Sequence, residues 1–450
     1  MTTPLVEGLV SSGMSPDAAR ARQPLFRLAR EALLARNVAR RAVTGWFVPG
    51  RIEVLGKHTD YAGGRSLLCA VERGVCVVAA PRDDGVVRVM DAVVREEVEF
   101  PFAPDIEPPR GHWSNYPMTV VRRVARNFPR ARKGLDIAVA SDLPLGAGIS
   151  SSSAFVVAIF LAVSHVNDLP GDEAYRREIA TCEDLASYLG CVENGQHFGS
   201  LAGDRGAGIF GGSEDQTAIL CGAANMLSQY SFCPVRAEGR VALPRELTFV
   251  VAHSGVVAEK AGAARELYNR ASAATRVIVE LWNEHEGRRD GSLGAAVDSA
   301  PGAADRIREV LQAARVADYS PGMLVNRFEQ FVAESTRIIP AARAALELHD
   351  LPRFGALVDE SQHNVERWLG NQVPQTVTLQ REARALGAVA ASAFGAGFGG
   401  SVWALVERAG AAEFARRWAS RYRMAFPEAG KAMEVFLTGA GPAAQQVDHV

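Results

Sequence analysis

Pro144-Leu145-Gly146-Ala147-Gly148-Ile149-Ser150-Ser151-Ser152-Ser153-Ala154 is a loop of small residues that runs straight into an apolar segment, Phe155 to Val163. Gly146 and Gly148 admit backbone angles that other residues resist, so the chain can pass close to a ligand there. At a helix start, the serines add hydroxyls to backbone N–H groups that have no intrahelical partner. Such an end attracts an anion, and phosphate is the usual one. A serine-rich N-cap is the plainer alternative. Four consecutive serines behind Gly-x-Gly exceed what a cap needs, so the stretch predicts a phosphate-holding loop that opens a helix.

The segments on either side set the fold class. Leu135 to Ala140 reads as the strand that delivers the chain to this loop, and helices follow over Ala154 to Val166 and Asp172 to Val192. Upstream, the valine-rich runs Leu67 to Ala80 and Gly85 to Phe100 are broken by Pro81-Arg82-Asp83-Asp84-Gly85 and predict antiparallel strands. Asn115 to Asn127 has helical period, and the alanine- and arginine-rich residues up to about 43 read as surface helices. Downstream, Gly195 to Gly212 reads as a loop and Leu247 to Ala252 as a strand. Glu259 to His285 and Asp305 to His349 are helical in spacing. Ala388 to Phe394 and Val402 to Glu407 flank a second glycine cluster, and Met433 to Leu437 is a last strand. Irregular alternation of this kind indicates α+β architecture. A chain of 450 residues exceeds one core. We expect a helical extension over residues 1–43, a first domain over 44–240 and a second over 241–450.

Bulk properties narrow the function. A formal net charge of −2 argues against a nucleic-acid partner. No apolar run approaches bilayer length and no leader is visible, so a cytoplasmic protein without a membrane partner is expected. The six cysteines show neither C-x-x-C nor zinc spacing and read as reduced thiols. The scattered histidines give no dedicated transition-metal site. No Walker string Gly-x4-Gly-Lys-Ser/Thr occurs. Gly395-Ala396-Gly397-Phe398-Gly399-Gly400 satisfies G-x-G-x-x-G but leads into a strand, Ser401 to Val406, which rules out the dinucleotide reading. It is either a plain hairpin or a tight turn that brings backbone close to a ligand or to the first loop.

Two charged segments have a chemical use. Gly50 to Tyr61 sets Arg51, Glu53, Lys57, His58 and Asp60 around an apolar strand, a set suited to a polyhydroxylated ligand. A solvated edge with incidental ion pairs is the alternative. In Gly211-Gly212-Ser213-Glu214-Asp215-Gln216, Asp215 could take a proton from a hydroxyl during phosphoryl transfer. On local sequence alone, a helix cap is the preferred reading.

Together these segments resemble the GHMP family of small-molecule kinases, and within it the galactokinases. The resemblance rests on Gly50-Arg51 through Gly63-Gly64, Pro144 through Ala154 and Phe394 through Gly400. Trp113 to Tyr116, Asp215-Gln216, Tyr268-Asn269-Arg270 and Glu360-Ser361 support it. It implies a ribosomal-protein-S5-like N-terminal domain and a ferredoxin-like C-terminal domain with the active site between them. It implies ATP phosphates held by Gly146, Ala147, Gly148, Ser150, Ser151 and Ser152, and Mg²⁺ held by Ser152 and Glu193. Asp215 and Arg51 match the catalytic pair, and His58, Asp60 and Tyr268 match sugar contacts. The implied reaction phosphorylates a free sugar at its anomeric hydroxyl, with galactose as default. A related hexose, uronic acid or cyclitol is the runner-up, and a non-catalytic sugar- and ATP-binding sensor the competitor. The resemblance leaves oligomeric state open.

Departures fall inside the sugar motif. Galactokinases usually carry asparagine where this chain has Glu53 and glutamate where it has Lys57. An ammonium only donates hydrogen bonds. Lys57 therefore either changes what is recognised at one end of the sugar, or pairs with Glu53 and leaves sugar choice unaltered. Glu214 adds a carboxylate beside Asp215, and the loop between Glu193 and Asp215 is longer than usual for the family.

Overall fold

The computed structural model describes residues 3–36, 43–257, 263–448 and 450. Two sheets organise them. The first holds β1 (Thr44–Leu55), β2 (Arg65–Pro81), β3 (Val86–Asp91), β4 (Glu96–Pro101), β5 (Leu135–Ser141), β6 (Met226–Ser231) and β7 (Arg236–Ala242). The second holds β8 (Leu247–His253), β9 (Ala390–Phe394), β10 (Ser401–Glu407) and β11 (Glu434–Thr438), in the order β11-β8-β10-β9. The final strand, β12 (Gln445–Val447), leaves the second half and pairs with β1, giving the first sheet the order β12-β1-β2-β5-β3-β4. β6 joins β2 off that path, and β3 with β5 is a parallel pair.

The valine-rich segment predicted over Gly85 to Phe100 is a hairpin, β3 and β4, whose register runs from Val86↔Pro101 to Asp91↔Glu96. β2 is the long central strand and is buried almost throughout, as its continuous apolar run requires. Behind it lie α1 (Pro4–Ser11) and α2 (Pro16–Leu34). Leu9, Phe26 and Leu33 pack there on Phe47, Cys76 and Val78 in a core of their own. Each such side chain contributes about 1.5–3 kcal/mol of burial. Arg22 anchors α2 from within this layer, through an ion pair with Asp142 at 2.6 Å. These helices are therefore packed to the sheet through one face rather than lying loose on the surface.

On the opposite face the helices α3 (Asn115–Asn127), α4 (Ser151–Val166), α5 (Glu173–Glu178), α6 (Cys182–Asn194) and α7 (Glu214–Cys221) cover the main core. α4 is apolar nearly all round and correspondingly buried, the pattern of a helix with neighbours on every side. The helical stretch predicted over Asp172 to Val192 is broken. Thr181 caps α6 with Asp184 in a reciprocal capping box, so a new helix begins there. The second half adds α8 (Ala263–Glu286), α9 (Leu293–Val297), α10 (Ala303–Ala313), α11 (Pro321–Val332), α12 (Ile339–Glu347) and α13 (Leu351–Asn364). The prediction over Asp305 to His349 thus resolves into several helices, with a fresh N-cap at Ser320. Residues 259–262 of the helix predicted from Glu259 lie outside the described residues.

Candidate active site

The phosphate-loop prediction can be followed atom by atom. α4 starts at Ser151, and Ser150 takes a left-handed backbone, φ 60°, as its N-cap without a side-chain cap bond. The Ser150 hydroxyl is buried with no partner, and the cap reading of these serines thereby loses its support. Gly146 and Gly148 have φ of 66° and 74°, which favour glycine. The second glycine cluster lies directly against this loop. A Cβ on Gly148 would stand 3.2 Å from the Phe394 carbonyl oxygen, and one on Gly395 2.9 Å from that of Gly148. The Ser401 hydroxyl donates to the Ala147 carbonyl at 2.6 Å. The turn between β9 and β10 is thus the backbone brace of the first loop.

β1 carries the central charge. Arg51 and Glu53 stand two residues apart and share the cavity face, while Ile52 and Val54 enter the main core. Register shifts at Pro49/Arg51 and Glu53/Leu55 bend the strand beside both. Arg51 Nη2 lies 2.7 Å from Asp215 Oδ1, Nε donates to the same carboxylate at 2.9 Å, and Nη1 donates to the Gly148 carbonyl. One guanidinium therefore joins the phosphate loop to the carboxylate at the start of α7. Burial disfavours the Arg51 cation, but Asp215, Glu214 and Glu53 outweigh it and hold its pKa above the ordinary value. The single proton of the Ser153 hydroxyl is shared between Glu193 at 2.7 Å and Asp215 at 3.2 Å, and Gln216 also donates to Glu193. Asp215 is thereby engaged on both oxygens. This fixes its direction more than a capping role requires.

Next to this centre, His58, Tyr61 and Tyr268 form an aromatic group, with the His58 and Tyr268 rings 4.9 Å apart. Burial and Arg327 lower the His58 pKa to about 4, so the ring is neutral. Its nitrogens lie 2.8 Å from the Tyr61 hydroxyl and 3.0 Å from the Ala396 carbonyl. Asp60 accepts from the Glu214 amide at 3.3 Å, and burial raises its pKa. Gly211 and Gly212 are needed for this approach: a Cβ on Gly212 would sit 2.4 Å from Asp60 Oδ2, and one on Gly211 3.1 Å from the Tyr268 hydroxyl. Glu214 is buried and accepts from the Ser66 hydroxyl, and burial raises its pKa well above normal, with Glu53 and Asp60 adding to it.

Lys57 behaves differently from the other charged residues of its segment. It is 1 % exposed, and it is not among the residues that line the cavity. Its ammonium donates to the Ser361 hydroxyl at 3.4 Å, and that hydroxyl donates to Glu334 at 2.9 Å. Glu53 does line the cavity. Burial raises its pKa to about 7, opposed first by Lys57 and then by Arg51. One Glu53 oxygen accepts the Gly395 amide at 3.3 Å, and the other has no hydrogen-bond partner. The geometry thus turns the Lys57 ammonium to Ser361, from where its charge still acts on Glu53, and sets the Glu53 carboxylate at the cavity wall; among the described residues Lys57 and Glu53 make no direct ion pair.

The site opens on a cavity of about 550 Å³, within the range of small-molecule sites. Arg51, Glu53, His58, Asp60, Tyr268, Gly146, Gly148, Ser150, Ser151, Ser152, Glu193 and Asp215 line it, and Ala147, buried beneath, does not. Trp113, Tyr116, Phe155 and Val94 line it as well, forming apolar wall that the sequence reading did not single out for binding. Ser153 was also missed, although its position one turn from Ser150 sets it on the side of α4 facing α6 and α7. Among the described residues no group of three or more histidine, cysteine, aspartate or glutamate side chains forms a metal cage.

Comparison with known proteins gives this geometry its context. Residues 37–81 match the galactokinase galactose-binding signature, 115–223 the GHMP kinase N-terminal domain and 342–423 the GHMP kinase C-terminal domain. A galactokinase from Roseiflexus sp. (strain RS-1) is 30% identical over 380 residues, which cover 83% of this chain and 86% of the relative. The chain belongs to the galactokinase family. As a galactokinase-family member it is a GHMP-type sugar kinase that uses ATP. The fold agrees: the crystal structure of Lactococcus lactis galactokinase complexed with galactose superposes with a TM-score of 0.76 at 20% identity, over 93% of this chain and 98% of that one. Methanococcus jannaschii mevalonate kinase gives 0.54 at 13% identity, over 89% and 99%. Within the galactokinase-family frame, the signature contains Arg51, Glu53, Lys57, His58 and Asp60, and the N-terminal match contains the serine loop, Glu193 and Asp215. No described helix is long and apolar enough to cross a membrane.

Proposed function

We propose that this kinase transfers the γ-phosphoryl group of ATP to the anomeric hydroxyl of galactose, giving galactose 1-phosphate and ADP. The observation that carries the reading is the Arg51–Asp215 pair, set between the N-terminus of α4 and the cavity wall of Glu53, His58, Asp60 and Tyr268. Asp215 accepts the hydroxyl proton as the acceptor oxygen attacks. Arg51 pairs with that carboxylate and aims it, and its charge offsets the one that grows on the transferring group. Gly146, Gly148 and Ser150 to Ser152 cradle the phosphates with unpaired N–H groups of α4. The apolar wall of Trp113, Tyr116 and Phe155 takes the base. Phosphoryl transfer asks for alignment and charge compensation rather than covalent work, which is what these residues provide.

The donor set suits Mg²⁺, which binds through one or two carboxylates and leaves its other positions to water and phosphate. Glu193, with Ser152 and the neighbouring Ser153, would hold it, and when bound it neutralises phosphate charge. Acceptor choice follows from the acidic groups of the wall. Among the described residues, Glu53, Asp60, Glu214 and Asp215 stand there with one cation, Arg51, which Asp215 already engages, while Lys57 is turned to Ser361. A uronic acid would bring a further carboxylate into that group, so a neutral hexose fits best. A coupled ADP-release assay over galactose, other hexoses, uronic acids and cyclitols tests this. Galactose should give the highest kcat/KM; release with no sugar above background while ATP still binds would leave only the sensor reading.

A further inference from the structure

Cys182 opens α6 and Cys221 closes α7, and the two helices pack along each other in opposite directions. Ala186, one turn into α6, shares an apolar cluster with Ala218 and Cys221 of α7. Further along α6, a Cβ on Gly190 would meet Ser213 Cβ, at the N-terminal end of α7, at 2.8 Å. Cys182 and Cys221 each lie eight residues from that contact, so the antiparallel packing sets both thiols at the same end of the seam. Cys182 is exposed, and Cys221 is buried beneath it. The neighbouring Cys221 thiol holds the Cys182 thiol below its ordinary pKa; Arg240 adds to this, while burial and Glu183 oppose it. Burial pushes the Cys69 thiol up to about 12 and that of Cys233 to about 11, so those thiols stay protonated.

We propose that Cys182 and Cys221 form a modification site for low-molecular-weight disulfides, in which Cys182 exchanges and Cys221 resolves. The Cys182 thiolate attacks one sulfur of the small disulfide, forming a mixed disulfide and expelling a thiolate that takes up the proton Cys182 gave up. Cys221 then loses its proton and attacks the Cys182 sulfur, forming the intramolecular bond and expelling the second small thiolate, which is protonated in turn. Two protein thiols are oxidised and one small disulfide is reduced to two thiols. Thiols set at the same end of two packed helices need little backbone movement to bond. The product ties together the helices that carry Glu193 and Asp215 at the other end of the seam, and it encloses the Gly195 to Gly212 loop between them.

The test treats the full-length reduced protein with excess oxidised glutathione, followed by intact mass and disulfide mapping. Wild type should lose two hydrogens through a Cys182–Cys221 link that dithiothreitol reverses. Its melting midpoint should rise by about 3 °C, as expected for a cross-link in a chain of this size. Cys221→Ser should stop at a glutathione adduct on Cys182, and Cys182→Ser should leave Cys221 unmodified. Wild type that carries only glutathione adducts, or that links other cysteines, overturns the proposal. Should Cys221→Ser not fold, the exposed Cys182→Ser variant decides alone: continued reaction at Cys221 removes the exchanging role from Cys182.

Discussion

Asp215 is the residue on which the proposed chemistry turns, because its two oxygens are already divided between Arg51 and Ser153. Asparagine keeps the shape but cannot accept a proton. Asp215→Asn should lower kcat by ~10²-fold or more while leaving KM for ATP within about threefold. Steady-state ADP release reads both, and an unchanged kcat would assign the residue to positioning. Glu53 gives a separate, pH-dependent signature. Its folded pKa of about 7 lies above that of an unfolded glutamate, so the folded state binds the extra proton. The stabilisation is fully present below about pH 4.5 and is lost as pH rises through about 7. Glu53→Gln removes this loss. Urea denaturation should therefore show the variant gaining on wild type between about pH 4.5 and 7, with the gap level above that range. The ordinary carboxylate behaviour of an exposed glutamate would produce no such gap.

Among the elements, the pairing of the serine loop with the β9–β10 turn was partly legible. Two glycine clusters far apart in sequence each demanded close approach, and one of the two open readings was that they approach each other. Side-chain direction was not legible. Nothing in Gly56-Lys57-His58 says that the ammonium leaves the cavity, because that follows from Glu334 and Ser361 on distant helices. In the same way, four adjacent serines look alike as letters, and only the pitch of α4 selects Ser153 as the partner of Glu193 and Asp215. Helix breaks at Thr181 and Ser320 are written in capping residues that a period count over alanine-rich sequence overlooks. The loop pairing has its own test. Gly395 has φ 80°, and a Cβ there would press on the Gly148 carbonyl. Gly395→Ala should raise KM for ATP by about tenfold or more with a smaller change in KM for the sugar, since the displaced backbone is that of the phosphate loop. Equal changes in both would mean that the turn serves the whole cavity rather than the loop.

At the scale of the whole molecule, the two sheets and the N-terminal helices meet on Glu72, a half-buried residue of β2 outside the cavity lining. One carboxylate oxygen accepts the Ser15 amide at the start of α2, at 2.6 Å, and the other accepts the Gly439 amide at 2.9 Å, just beyond β11. Its own amide donates to Thr438, and its carbonyl accepts from Arg22. A single side chain thus ties the helical layer behind the first sheet to the segment by which the chain leaves the second sheet and returns as β12. Hydrogen bonds to a charged acceptor contribute about 1.5–3 kcal/mol each, and both donors lose their partner if the carboxylate is removed. Glu72→Ala should therefore lower unfolding free energy by about 3 kcal/mol and the melting midpoint by a few degrees. Glu72→Gln, which keeps an acceptor for one amide, should recover about half. Because Glu72 does not line the cavity and bonds to Ser15, Arg22, Thr438 and Gly439, none of which lines it, kcat and both KM values of the folded enzyme should stay within about twofold of wild type. A loss of turnover without a loss of stability would instead show that the path of the returning chain sets the active-site geometry, and the first sheet would have to be treated as part of the catalytic apparatus.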